Sequence, residues 1–130
     1  MSLMPPSHRS KVTSELDEIA RAGRFALQVC RECGKVQYPS RDACFFCLSA
    51  ELEWRDLPAG GRLLAQTTVR SSAEPYFQAR VPFSTAAVLL DCGPSVVCFL
   101  DGECGSGERV VLDLALDEAD RAVFTARAAR

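Results

Sequence analysis

The sequence predicts a mainly β protein: a short N-terminal helix, a compact four-cysteine ribbon, and a small five-stranded β-barrel. Three observations predict it. Two Cys-x-x-Cys pairs fall within residues 30–47, a Pro58-Ala59-Gly60-Gly61 break follows that module, and beyond the break come five apolar or alternating runs of strand length with no helical period between them. Short strands joined by turns over about 70 residues pack best as a closed or nearly closed barrel.

Residues 1–12 are short, polar and proline-bearing, and the expectation for them is a disordered tail that leaves the only histidine, His8, solvated. An amphipathic helix is expected over 13–23, with Ser14 placed to cap it, Leu16, Ile19 and Ala20 recurring near helical spacing, and Gly23 marking its end. Its single apolar stripe can pack on this chain or dock on a partner. The ribbon is assigned to 24–57, where Leu52, Trp54 and Leu57 recur after the cysteines, and the barrel to 58–130. Barrel strands are expected at Leu63–Val69, Phe83–Leu90, Val96–Leu100, Val110–Leu116 and Val123–Ala128. Asp91-Cys92-Gly93-Pro94 and Asp117–Asp120 turn the chain between them, and Val110, Leu112, Leu114 and Leu116 give the fourth strand a consistently apolar face.

Composition narrows the function. Fifteen basic against seventeen acidic side chains in 130 residues provide no bulk field for a phosphate backbone or an anionic membrane. No apolar run approaches the roughly 18 residues of a membrane helix, and Met1–Pro6 lacks the basic-then-apolar pattern of a secretory signal, so a soluble cytoplasmic protein is expected. An odd count of seven cysteines in such a compartment argues for thiols over disulfides.

Cys30, Cys33, Cys44 and Cys47 form two Cys-x-x-Cys pairs with ten residues between them. Two residues between ligands let one tight knuckle aim both sulfurs at a single ion, and a short antiparallel hairpin returns the chain to present the second pair. Gly34, after the first pair, can adopt positive φ there and offer its amide to a sulfur. Four thiolates suit Zn²⁺, with iron as another thiophilic choice. A redox dithiol of the thioredoxin kind is the competing reading, but it requires a βαβ setting that this strand-and-turn pattern does not offer. Four cysteines leave no open position on zinc, so the ion would be structural, holding together a segment too small to fold by itself. Of the other cysteines, Cys98 reads as a small buried hydrophobe, whereas Cys92 and Cys104 sit in predicted turns that leave room for exposure, and with no neighbouring histidine neither is a candidate nucleophile. No Ser-His-Asp order, paired carboxylates in an apolar setting or phosphate-cradling loop is present, and the GECGSG stretch at 102–107 opens no helix.

The succession of features resembles the DUF35 family of zinc-ribbon plus OB-fold proteins associated with acyl-CoA enzymes. The resemblance spans roughly residues 14–128 and rests on Gly23-Arg24 before the first knuckle, Pro39 between the pairs, Thr67-Thr68-Val69 on the first barrel strand and Pro82-Phe83 opening the next. The family usually has proline and glycine in its second knuckle, where this chain has Phe45 and Leu48, and an Ile-Gly-Met turn where it has Ser106-Gly107-Glu108. The resemblance implies an OB-like barrel and a non-catalytic accessory or scaffold subunit. Such a subunit would sit beside a thiolase-like or hydratase-like enzyme of lipid or acyl-CoA metabolism, with coenzyme A or acyl-CoA as a ligand and a homo-oligomer also compatible. Phosphates of such a ligand need cations and its acyl chain an apolar groove, which singles out Arg62, Arg70, Arg80, Tyr76 and Phe77. The competing reading of these five is a solvated arginine face and aromatics that pack the loop onto the barrel. A zinc-ribbon and OB module binding single-stranded nucleic acid is the alternative function; the acidic residues Asp101, Glu103, Asp113, Asp117, Glu118 and Asp120 count against it. A self-sufficient enzyme is the third, and lacks a placed general base.

Overall fold

A computed structural model describes residues 4–5 and 11–129. Apart from Met4 and Pro5, the tail through residue 10, with His8, lies outside the described residues. Lys11 and Val12 already belong to helix α1 (Lys11–Arg21), so Ser14 is inside the helix and not at its cap. Leu16, Ile19 and Ala20 form the buried stripe. The helix closes on a Schellman motif in which the amides of Gly23 and Arg24 donate to the carbonyls of Ala20 (3.0 Å) and Ile19 (3.1 Å). Asp17 shares the buried side at 4% exposure. Its carboxylate accepts the Ala122 amide at 2.6 Å and the Arg121 guanidinium at 3.0 Å, which rivets the helix to the last barrel turn. Glu15 accepts the indole N–H of Trp54 at 2.6 Å and ties the same helix to the ribbon. The apolar stripe is therefore covered by this chain itself.

The ribbon is a three-stranded antiparallel sheet of β1 (Ala26–Cys30), β2 (Val36–Gln37) and β3 (Leu52–Asp56), in the order β2-β1-β3. All five residues of β1 are buried, because a central strand covered on both faces has no solvent side.

After Leu57–Ala59 the chain enters a closed barrel of β4 (Gly60–Val69), β5 (Phe83–Leu90), β6 (Ser95–Leu100), β7 (Arg109–Leu116) and β8 (Ala122–Ala128), ordered β4-β5-β6-β8-β7. Only β6 and β8 run parallel, with Phe99 opposite Thr125. Period-two alternation fills the interior with Leu63, Val88, Leu90, Val96, Val110, Leu112, Phe124 and Ala126, each 5% exposed or less. Closure removes the free edges that would otherwise invite pairing with another chain. Leu16 of the helix and Leu27 of the ribbon join this core, and the rings of Phe25 and Tyr38 stand edge-on to Phe124 at 5.7 and 5.2 Å. Ribbon and barrel thus share one apolar seam.

Two expectations change. Gly60 and Gly61 are not turn residues but the first two residues of β4, paired with Val111 and Val110. An added Cβ on Gly61 would lie 2.5 Å from the Leu89 carbonyl oxygen, so glycine is required there by the close approach of β5. The long connection after β4 holds a short helix, α2 (Pro75–Gln78), opened by the proline at its first position. Cys104, whose predicted turn left room for exposure, is buried at 5%, inside the barrel core.

Candidate functional site

Two nearly equivalent knuckles carry the cysteines. In the first, which leaves β1, the Cys30 amide donates to Lys35 O (2.9 Å) and the Gly34 amide to Cys30 O (2.9 Å); in the second, Cys44 donates to Ser49 O (2.8 Å) and Leu48 to Cys44 O (2.9 Å). Gly34 has φ 78° and Leu48 φ 65°. The Gly34 amide meets a carbonyl rather than the sulfur expected for it. Sulfurs instead receive the amides of Cys33 (to Cys30, 3.4 Å), Phe46 (to Cys44, 3.4 Å) and Cys47 (to Cys44, 3.5 Å).

The four Sγ atoms lie within 4.8 Å of one another, with Cys30–Cys47 at 3.5 Å and Cys33–Cys44 at 3.6 Å. Sulfurs around a tetrahedral zinc ion at about 2.3 Å from each stand about 3.8 Å apart, so the cluster needs only small adjustments to accept the ion. Electrostatics divide the four thiols into two pairs: the Lys35 amide favours the Cys33 thiolate but is outweighed by burial and by Cys44 and Cys30, which raise it. The Cys33 amide, against the opposing effect of burial, holds the Cys30 thiol down at about 6, and the Cys47 amide lowers Cys44 in the same way. Cys47 is pushed up to about 12: the Ser49 amide favours its thiolate but is outweighed by the neighbouring thiols and by burial. A soft, closed, four-sulfur donor set with two sulfurs already biased toward thiolate fits a structural zinc ion.

The hairpin between the knuckles is held by two buried glutamines that sequence reasoning missed. Gln28 donates to Arg41 O and accepts Arg41 N, both at 2.9 Å, and accepts Gln37 Nε2 at 2.8 Å. Gln37 in turn accepts the Phe45 amide at 3.0 Å and donates to Ala43 O at 3.4 Å. The segment 41–45 has no strand partner, so these side chains stand in for a sheet ladder and aim the second knuckle at the first. Their signal in the sequence is a polar residue at a strand position flanked by apolar ones, as in Leu27-Gln28-Val29.

A second feature lies on the barrel's outer face. Phe77 of α2 meets Phe83 (5.8 Å) and Phe99 (6.1 Å), which are themselves 5.8 Å apart, and Tyr76 stands edge-on to Phe77 at 5.1 Å. The Tyr76 hydroxyl donates to Glu118 at 2.6 Å, and the Arg80 guanidinium lies over the Tyr76 ring at 3.7 Å. Burial and the Glu118 bond raise the Tyr76 hydroxyl, while that donated proton and Arg80 keep Glu118 below the usual carboxylate range. The resulting shelf flanks a shallow cleft of about 180 Å³.

Residues 17–53 match the ChsH2 rubredoxin-like zinc ribbon domain, and residues 54–114 match the ChsH2 C-terminal OB-fold domain. This chain belongs to the DUF35 family. Among solved structures, a chain of the Ltp2-ChsH2(DUF35) aldolase is similar at TM-score 0.81 and 22% identity, covering 96% of this chain and 100% of that one. A DUF35 protein of unknown function from Sulfolobus solfataricus is similar at TM-score 0.64 and 13% identity, over 92% of this chain and 87% of that one. No curated protein matches in sequence.

In this DUF35 chain the structure gathers Cys30, Cys33, Cys44 and Cys47 into one cluster, and Tyr76, Phe77 and Arg80 onto one shelf. It does not bring the three arginines together. Arg62 and Arg70 flank opposite ends of β4, roughly 25 Å apart along an extended strand, and Arg62 donates to Gly107 O at 3.0 Å on the side of β7. Phe83 and Phe99 complete the shelf and were missed. Their signal is outward parity: each alternates with core residues such as Leu100. Among the described residues no helix is long and apolar enough to cross a membrane.

Proposed function

We propose that this chain is a non-catalytic accessory subunit of an enzyme complex in lipid or acyl-CoA metabolism, docked on a larger, thiolase-like or hydratase-like enzyme. The observation that carries the reading is likeness over the whole length of a chain of the Ltp2-ChsH2(DUF35) aldolase, together with both ChsH2 domain matches. That similar structure is described as an aldolase of two named proteins, Ltp2 and ChsH2. Cys30, Cys33, Cys44 and Cys47 hold a structural zinc ion that supplies folding free energy to the ribbon and no chemistry. Acyl-CoA, in this reading, meets the shelf of Phe77, Phe83, Phe99, Tyr76 and Arg80. That cleft is smaller than the roughly 300 Å³ at which a drug-sized ligand is enclosed, so the partner enzyme completes the site. The larger groove of about 610 Å³ lined by Gln66, Thr68 and Ser84 carries Glu103 and Glu108, whose charges disfavour the phosphates of coenzyme A.

Native mass spectrometry of the full-length protein purified from its own cells at modest salt tests the reading. One zinc ion per chain and a stable larger enzyme of acyl-CoA chemistry are expected. A zinc-loaded chain that arrives without any enzyme overturns the accessory role. Oligonucleotide binding that falls steeply with salt supports the single-strand alternative instead.

A further inference from the structure

The second knuckle breaks two local rules at once. Leu48 occupies the left-handed region at φ 65°, where the equivalent residue of the first knuckle is Gly34 at φ 78°. A leucine there is strained, since its Cβ crowds the backbone. Such strain is ordinarily compensated by packing, yet Leu48 is 78% exposed, and its neighbours Phe45 and Phe46 are 61% and 63% exposed. Large apolar side chains left this exposed, on a knuckle fixed by its own backbone hydrogen bonds, belong to an interaction surface. The knuckle backbone is fixed by the amides to Cys44, and Lys35 sits 4.9 Å from the Phe46 ring centroid and holds that ring in place.

We propose that Phe45, Phe46 and Leu48 form a docking knob that inserts into an apolar pocket on the larger enzyme. The inference rests on the accessory-subunit reading and names its anchor. Area decides the occupant: two copies meeting tip to tip would bury less than a stable dimer needs. The three side chains offer on the order of 350 Å² of apolar surface, well short of the ~800 Å² per partner of a stable interface, so the knob is a central anchor within a wider contact. Charge decides against a membrane: the ribbon around the tip carries Arg31, Lys35 and Arg41 balanced by Glu32, Asp42 and Glu51, with no cationic excess to draw anionic lipid.

The test uses the tagged full-length chain and the enzyme that co-purifies with it, identified by peptide mass spectrometry and then purified for titration. Phe45→Ser with Phe46→Ser should weaken binding at least tenfold, while Leu64→Ser, which removes an exposed leucine of β4, should change it less than twofold. Zinc content and melting temperature should match wild type in both. Leu48→Gly should keep or raise the melting temperature while lowering affinity several-fold, because it relieves strain and removes a contact together. Undiminished binding by the Phe45/Phe46 variant overturns the knob and leaves the accessory role standing. A lower melting temperature for Leu48→Gly also overturns the knob, because the leucine would then serve the fold. Absence of any enzyme partner for the wild-type chain overturns both.

Discussion

Ribbon and barrel solve the same problem, closing a small structure against water, with opposite materials. The barrel does it with apolar side chains: Leu63, Val88, Leu90, Val96 and Val110 are all but inaccessible, and closure leaves no edge. The ribbon has one fully buried strand, β1, and a short β2 and a half-exposed β3 beside it. Where the barrel places leucine and valine, the ribbon places Gln28 and Gln37 and four sulfurs. Apolar burial needs many residues to be effective, whereas directed bonds to one ion or to one pair of amides need few. The difference teaches that below a certain size, geometry replaces volume. On this ground the sulfurs and glutamines should tolerate little substitution, whereas core positions should accept several apolar residues.

The largest expected effect separates the two regions outright. Stripping zinc with a strong chelator, or replacing Cys44 by serine, should unfold the ribbon, since structural zinc contributes on the order of 10 kcal/mol. Heteronuclear NMR should show amides of 26–56 collapsing to random-coil shifts while β4–β8 resonances persist. Loss of both sets together would show that the barrel cannot stand without the ribbon.

Phe124→Ala attacks the seam they share, where Phe25 and Tyr38 meet the barrel. A cost of about 3–5 kcal/mol is expected, and calorimetry should show a single lowered transition. Two separate transitions would mean that the seam couples the regions less than its packing suggests.

Gly61→Ala should cost about 1–3 kcal/mol by overpacking against the Leu89 carbonyl, with the loss confined to the barrel. Gln37→Ala should cost a similar 1–3 kcal/mol by leaving buried amides unpaired. Its signature is weaker zinc retention in a chelator competition, which Gly61→Ala should not show. Equal zinc loss in both would erase the distinction.

The smallest effect concerns the loop that carries α2. Glu118 is held below its ordinary value, so its contribution to docking that loop is present above the unfolded carboxylate range and is lost as pH falls through its depressed folded value. Protection factors of the amides of 76–79, taken against the intrinsic exchange rate at each pH, should fall on acidification, and Glu118→Gln should abolish that fall. Unchanged protection across the range would place the loop's anchor in the aromatic shelf instead.

Legibility followed the range of the interactions. The barrel strands, the amphipathic helix and the cysteine pairs were readable because each is encoded in spacing between near neighbours: period two, period near 3.6, two residues between ligands. The helix start, two residues before the expected position, and the short α2 were lost because tertiary packing and a proline start outweigh weak local signals. The candidate site divided the same way. Four cysteines could be named from the chain alone, but the shelf needed Phe83, Phe99 and Glu118, contributed from separate elements, and Arg62 fell away once β4 was seen to carry it to the far end.

By itself the sequence determined a mainly β molecule with a four-cysteine ribbon and a five-strand barrel, because those rest on local periodicity and on the spacing of the cysteine pairs. Only the tertiary structure decided that Gly61 must be bare to let Leu89 pass, that Cys104 is buried, that Asp17 rivets the helix to Ala122 and Arg121, and that Leu48 stands strained and exposed. Each of these depends on which distant backbone or side chain comes within a few ångströms, or on none doing so, and chain-local patterns carry no record of that distance.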